Sequence, residues 1–187
     1  VIIATIGRPS LQRTLESVRQ QELIPGDEIC VIHDGPMSPE VERIWNESGL
    51  PGRLVALDDG PHRDWGAAAR TIGMTMANGS HLIWQDDDDT YLPGAFSVIR
   101  RECTQEPEAF FLFRMAYPNG WLLWQHPQVV GGNVSTQIFV APRKFPLGAW
   151  GTHYAGDYNF IASSIERNPT VPVRFIDRVT VMFSRNG

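Results

Sequence analysis

Short apolar runs alternate with stretches of helical spacing through the first half of this 187-residue chain, and that alternation limits the fold more than any other feature. Residues 1–6 read as a buried strand, broken by Gly7-Arg8-Pro9-Ser10. Ser10 stands where a side-chain cap would open a helix bearing Leu11, Leu15 and Val18 on one face. A turn at Pro25-Gly26-Asp27 leads to a strand over 28–33 that ends in Asp34-Gly35-Pro36. Ser38 before Pro39 marks a helix start, with a cap and a first-turn proline, and this helix runs through Trp45. A third strand over 53–57 precedes a helix over 66–77, which Asn78-Gly79 would close in the left-handed conformation. Residues 81–85 form a fourth strand and 93–103 another helix. This β-α-β-α-β-α-β order predicts an α/β fold, a mostly parallel central sheet flanked by helices. Ligands of such sheets bind beyond the carboxyl ends of the strands. The polar residues Thr5, Arg8, Asp34, Asp58, Asp59 and the aspartates 86–89 collect there.

The second half has a different rhythm. Residues 110–117 and 121–125 flank Pro118-Asn119-Gly120 as a hairpin, 134–141 reads as a strand, 157–166 as a helix, and 171–183 as a terminal strand or pair. A mixed, antiparallel C-terminal half is expected, suited to a second substrate. The chain reads as one domain over 1–187, a nucleotide-type half to about residue 95 and a second half from about 96. A hydrophobic content of 42% suffices for a core, and a net charge of −5 argues against general nucleic-acid binding, which needs a basic face. No apolar run approaches the roughly 20 residues of a membrane span, and no secretory signal is visible. Cys30 and Cys103 lie far apart in a strand and a helix, as free thiols of a reducing compartment do, so a cytoplasmic location is expected.

The four carboxylates after Leu82-Ile83-Trp84-Gln85 are the most informative chemistry. In extended backbone Asp86 and Asp88 would point the same way, about 6.6 Å apart at the usual rise per residue. Such negative charge at a strand end calls for a cation or full solvation. Hard divalent ions, Mn²⁺ or Mg²⁺, suit an all-oxygen set, and Mg²⁺ is commonly shared with substrate phosphates. The reading is a metal-bridged diphosphate. Two reactions use this pattern: glycosyl transfer from a nucleoside-diphosphate donor, and phosphate hydrolysis with Asp86 as nucleophile, since Asp86-x-Asp88-x-Thr90 also matches haloacid-dehalogenase-like phosphatases. A non-catalytic nucleotide-sugar or glycan-binding module is the third reading.

The ordered set of motifs resembles the GT-A glycosyltransferases, specifically the family-2-like group. The matching pieces are Thr5-Ile6-Gly7-Arg8, the Leu15-Glu16-Ser17-Val18 helix with Gln21, Ile32-His33-Asp34-Gly35, and Gly66-Ala67-Ala68-Ala69-Arg70. Asp86-x-Asp88-Asp89 with Pro93, Leu147-Gly148-Ala149-Trp150, and Gly156-Asp157-Tyr158-Asn159-Phe160 complete it. The resemblance implies a Rossmann-like GT-A fold. It also implies inverting transfer of a sugar, UDP-linked by expectation, to an acceptor hydroxyl of a glycan, lipid-linked or small molecule, with Mn²⁺ or Mg²⁺. It places Thr5, Arg8, Asp34, Arg70, Asp86 and Asp87 on the donor and Asp88 on the metal. Asp157 becomes the general base, and Trp150 and His153 lie on the acceptor side. His33 stands where the family carries Asp, and Gly156 where it carries Glu. The residue types alone read Asp157 first as the cap of its helix.

Overall fold

The computed structural model describes residues 1–184. Nine strands form one mixed sheet in the order β3-β2-β1-β4-β8-β6-β9-β5, with β7 paired to β6. The first half follows the sequence reading. Strands β1 (Ile2–Thr5), β2 (Ile29–His33), β3 (Gly52–Ala56) and β4 (His81–Asp86) pair in parallel. Helices α1 (Leu11–Arg19), α2 (Pro39–Ser48) and α3 (Ala67–Met76) connect them. The order reverses at β1, which lies between β2 and β4. That reversal opens a crevice at the carboxyl ends of β1 and β4.

The mixed half is built on β6 (Phe110–Ala116), β7 (Leu122–Leu123), β8 (Phe139–Pro142) and β9 (Val173–Met182), with α4 (Ala95–Gln105) and α5 (Gly156–Glu166). Strand β8 runs antiparallel to both β4 and β6, so it welds the two halves into one sheet. The expected hairpin is present as β6–β7, with Met115 opposite Leu123. The terminal segment is one strand, parallel to β6. A two-residue strand β5 (Thr90–Tyr91), unforeseen in the sequence, pairs with β9.

Local chemistry departs from expectation at three places. Ser38 caps α2 as expected, accepting from Val41 N at 3.2 Å. Ser10, by contrast, is itself helical (φ −59°, ψ −24°), and its hydroxyl caps nothing. Helix α1 starts instead on a turn in which Leu11 and Gln12 N–H donate to the Arg8 and Pro9 carbonyls. Helix α3 ends with Ala77 extended rather than at a left-handed Asn78-Gly79. The Asn78 and Gly79 N–H groups donate to the Glu28 carboxylate, which replaces the cap. The expected strand over 134–141 is split into a 3-10 turn, Thr136–Ile138, followed by β8. The polar groups of residues 135–137 turn toward aspartates and leave the ladder.

The core under the crevice is aromatic. Trp84, fully buried in β4, stacks on Phe139 of β8 at 5.8 Å and meets Phe160 of α5 edge-on at 5.1 Å. These contacts join β4, β8 and α5 directly beneath the ends that carry the polar residues. Gly73 lets α3 lie against the sheet, since a Cβ there would come within 2.4 Å of Ile2 Cγ2. Burying a large aromatic and leaving no cavity is worth about 3–5 kcal/mol when it is removed. Trp84→Ala should therefore lower the thermal midpoint by roughly 6–20 °C, at about 2–4 °C per kcal/mol for a chain of this size. Differential scanning calorimetry checks it.

Candidate functional site

The aspartate run is not extended. Asp86 closes β4, and a turn at Asp87 and Asp88 brings Asp89 N–H back to the Asp86 carbonyl at 3.4 Å. Asp86, Asp88 and Asp89 consequently converge, each offering a carboxylate oxygen within 4.8 Å of the others. Asp87 turns the opposite way, toward β1. Its buried carboxylate accepts from Thr5 Oγ1 at 2.6 Å, Ile6 N at 3.3 Å and Arg8 Nη1 at 2.9 Å. Arg8 also reaches Asp88 Oδ2 at 3.1 Å. The end of β1 is thereby tied to the end of β4, which brings Thr5, Arg8, Asp87 and Asp88 together.

Burial and mutual repulsion disfavour the ionised form of the convergent acids. Burial, and then the charge of Asp86, push the Asp89 carboxyl up to about 8, against hydrogen bonds from Ser184 N and Gln137. Asp86 is also raised, by burial first and by Asp157 and Asp88, against the pull of Arg70. Burial and Asp87 raise Asp88 in the same sense. A set of hard oxygen donors held together against its own repulsion fits a divalent cation.

Arg70, buried on α3, bonds Asp86 through one terminal nitrogen and donates from the other to the Trp65 carbonyl at 2.6 Å. Gly66 permits this approach: φ is +80°, and a Cβ would lie 2.7 Å from Arg70 Nη1. Trp150 is part-buried, stacked on Phe160 at 4.0 Å, with the Arg70 guanidinium 5.0 Å from its ring centre. The structure thus places Trp150 beneath Arg70 as packing.

Asp157 is the second residue of α5, so it is not the helix cap; that position is Ala155. Its Oδ2 accepts from Ser135 Oγ at 2.7 Å and from Thr136 N at 3.2 Å, and Oδ1 carries neither bond. One residue further, Gln137 Nε2 donates to Asp86 Oδ2 at 2.6 Å and to Asp89 Oδ2 at 3.3 Å. Residues 135–137 therefore bridge Asp157 to the acid cluster. Sequence reading missed them, because Ser-Thr-Gln in a connection matches no motif. His153 bonds Ala155 N and faces Asn159 Nδ2 at 3.1 Å, turned along α5.

At the other edge of the crevice Asp34 is buried after β2. It accepts from His62 N at 3.1 Å and lies 2.5 Å from His62 Nδ1. Gly60 is required beside it, since a Cβ there would come within 2.5 Å of Asp34 Oδ1. By sequence, residues 62–64 are a loop before α3 open to donor contact or to plain solvation; the structure gives His62 to Asp34.

The sequence pattern described as Glycosyl transferase family 2 matches residues 1–164. The chain belongs to this family. This family-2 glycosyltransferase chain is 31% identical over 103 residues to the uncharacterized glycosyltransferase YwdF of Bacillus subtilis (strain 168), an overlap of 54% of this chain and 37% of YwdF. Its fold matches S. aureus TarS 1-349 in complex with UDP-GlcNAc, with a TM-score of 0.74, 15% identity, and coverage of 100% of this chain and 58% of that one. TarS 1-349 in complex with UDP gives a TM-score of 0.71 at 13% identity, covering 97% and 58%. The chain thus spans well under two thirds of the length of these relatives. The fold is GT-A. No helix among the described residues is long and apolar enough to cross a membrane.

The Asp34 bond raises the His62 pKa above the ordinary histidine value, with Asp59 and Asp64 adding to it. The imidazolium–carboxylate contact is therefore complete below about pH 6.5. It is lost as pH rises through the raised value. A ¹H–¹³C titration of the histidine rings should show His62 above the ordinary value and Asp34→Asn returning it toward that value.

Proposed function

We propose that this chain works as one transferase domain, moving a sugar from a UDP-linked donor to an acceptor hydroxyl with inversion and with the help of a divalent cation. The observation that carries the reading is the bridge through residues 135–137. It sets one carboxylate, Asp157, opposite a convergent acid cluster at the switch point of the sheet. The UDP-GlcNAc and UDP held by the TarS structures support a UDP-linked donor.

Each group then has a task. Mn²⁺ or Mg²⁺ would be held by Asp88, with the neighbouring oxygens of Asp86 and Asp89 in reach, and would supply positive charge to the departing diphosphate. Asp34 accepts an N–H from the base, a charge-assisted bond that His62 shares. Thr5, Arg8 and Asp87 shape the nucleoside side, and Arg70 steadies Asp86 and faces phosphate. Asp157 Oδ1 takes the proton of the acceptor hydroxyl as that oxygen attacks the anomeric carbon. The bond from that carbon to the phosphate oxygen breaks and UDP leaves with the electron pair. A neutral hydroxyl is a weak nucleophile, so this base is needed. Trp150 and His153 line the acceptor side through packing and the turn into α5. Two free buried thiols, Cys30 and Cys103, support a reducing, cytoplasmic setting.

The geometry argues against phosphate hydrolysis. That chemistry would need Lys144 near Asp86, yet Lys144 pairs with Glu108. It follows Pro142, which lies opposite His81, at the far end of β4 from Asp86.

Asp157→Asn should lower UDP release from a panel of UDP-sugars by about 10²–10⁴-fold, with UDP affinity changed less than threefold. A turnover within tenfold of wild type would remove Asp157 as the base.

Asp88→Asn should abolish the rise in thermal midpoint that Mn²⁺ and UDP together produce in the wild-type protein. A metal-dependent rise that survives this substitution would move the metal off Asp88. Thermal denaturation with and without EDTA reads it.

A further inference from the structure

We propose that the rings of Trp65 and Tyr154 form a stacking site for a pyranose ring of the acceptor. The proposal rests on the transferase reading and names its acceptor class. These are the two most exposed large hydrophobic side chains among the described residues, at 65% and 86%. They come from different loops, before α3 and before α5, and meet edge to face at 5.7 Å and 81°. An edge-to-face pair leaves a ring face open to a ligand.

Trp65 is fastened to the reaction centre by its backbone. Trp65 has φ +60° and Arg63 has φ +53°. A bulky residue in that region is strained and persists only where its surroundings impose it. What imposes it is visible: the Trp65 carbonyl accepts from Arg70 at 2.6 Å, and the Asp64 carboxylate holds Gly66 N at 3.1 Å and Ala68 N at 2.8 Å. A turn needed for folding alone is served by Gly or Asn at such a position. Here the backbone is pinned to the partner of Asp86 while the indole is left in water. Tyr154 sits three residues before Asp157, on a turn closed by Gly156 N to His153 O at 2.8 Å. The two rings together make an aromatic rim.

The chemistry of this rim selects a sugar ring. A pyranose offers a face of C–H groups to an aromatic ring and hydroxyls around its edge to polar groups. Asp157 and Asn159 stand on the first turn of α5, directly after Tyr154, to receive a hydroxyl edge. An acyclic polyol has the hydroxyls without the face.

The test is a titration of the full chain, followed by indole fluorescence and saturation-transfer NMR. The probes are cellotetraose, maltotetraose and chitotetraose, with sorbitol as the acyclic control. At least one tetrasaccharide should bind and saturate from aromatic protons, and sorbitol should not. Trp65→Ala and Tyr154→Ala should each weaken that sugar at least tenfold, and Trp65→Phe should keep it within threefold. Binding of no tetrasaccharide, equal binding of sorbitol, or unchanged affinity in both alanine variants would overturn the proposal. UDP with Mn²⁺ titrated into the same wild-type sample separates the two levels. UDP bound without any sugar ends the stacking site and leaves the transferase reading standing. Neither ligand bound ends both.

Discussion

Four carboxylates at the end of one strand repel one another, and much of this molecule is arranged around that fact. The turn at Asp87 and Asp88 divides the charge: Asp87 is given to β1, and Asp86, Asp88 and Asp89 converge. Arg70, Arg8 and Gln137 approach from three different elements to bond them. Arg13 and Thr14 on α1 bond the carbonyls of the same turn. Removing one partner of a buried ion pair costs about 3–5 kcal/mol, because the other charge is left stranded. Arg70 and Asp86 therefore constrain each other, and through Gly66 and the Trp65 carbonyl they also fix the loop before α3. Burial and mutual repulsion, which raise the Asp89 carboxyl to about 8, are what a bound cation would relieve.

The scaffold meets that constraint with rigid parts. Trp84, Phe139, Phe160 and Trp150 stack beneath the crevice and set β4, β8 and α5 at fixed separations. Residues 135–137 then span from Asp157 to Asp86 in a single 3-10 turn. Asp157 and the acid cluster are thus held by one short segment as well as by the sheet. A base must sit within hydrogen-bond reach of the proton it removes, and misplacement by about 1 Å can cost 10²-fold in rate. A short, doubly bonded bridge is a direct way to prevent such slippage.

Much of this was legible in the residues and some was not, for physical reasons. Alternating apolar runs and helical spacing identify β1 to β4 with α1 to α3, because each buried parallel strand must be continuously apolar. The motif residues Thr5, Arg8, Arg70, Asp86 and Asp88 do come together. The Asp86–Asp88 geometry, read as extended, is a turn instead: Asp87 is claimed by Thr5 and Arg8, and Asp86, Asp88 and Asp89 are left converging. Ser10 and Asn78 have the right side chains for caps, yet a local turn onto the Arg8 carbonyl and the distant Glu28 carboxylate do that work. The strand over 134–141 gives way to a turn because the Ser135 hydroxyl, the Thr136 N–H and the Gln137 amide bond distant aspartates. The partner of His62 is unreadable for the same reason: Asp34 is 28 residues away. What sequence cannot display is which long-range polar group claims a side chain whose local preference points elsewhere.

The central claim is that the acid cluster and the Thr5–Asp34 edge together form a metal-dependent nucleoside-diphosphate site. Calorimetric titration of UDP tests it most directly, run with Mn²⁺ and again with EDTA. The account expects UDP to bind in Mn²⁺ and to lose at least tenfold in affinity in EDTA. Equal binding in both conditions would contradict the metal site, and no binding of UDP or any other nucleoside diphosphate in Mn²⁺ would contradict the account as a whole.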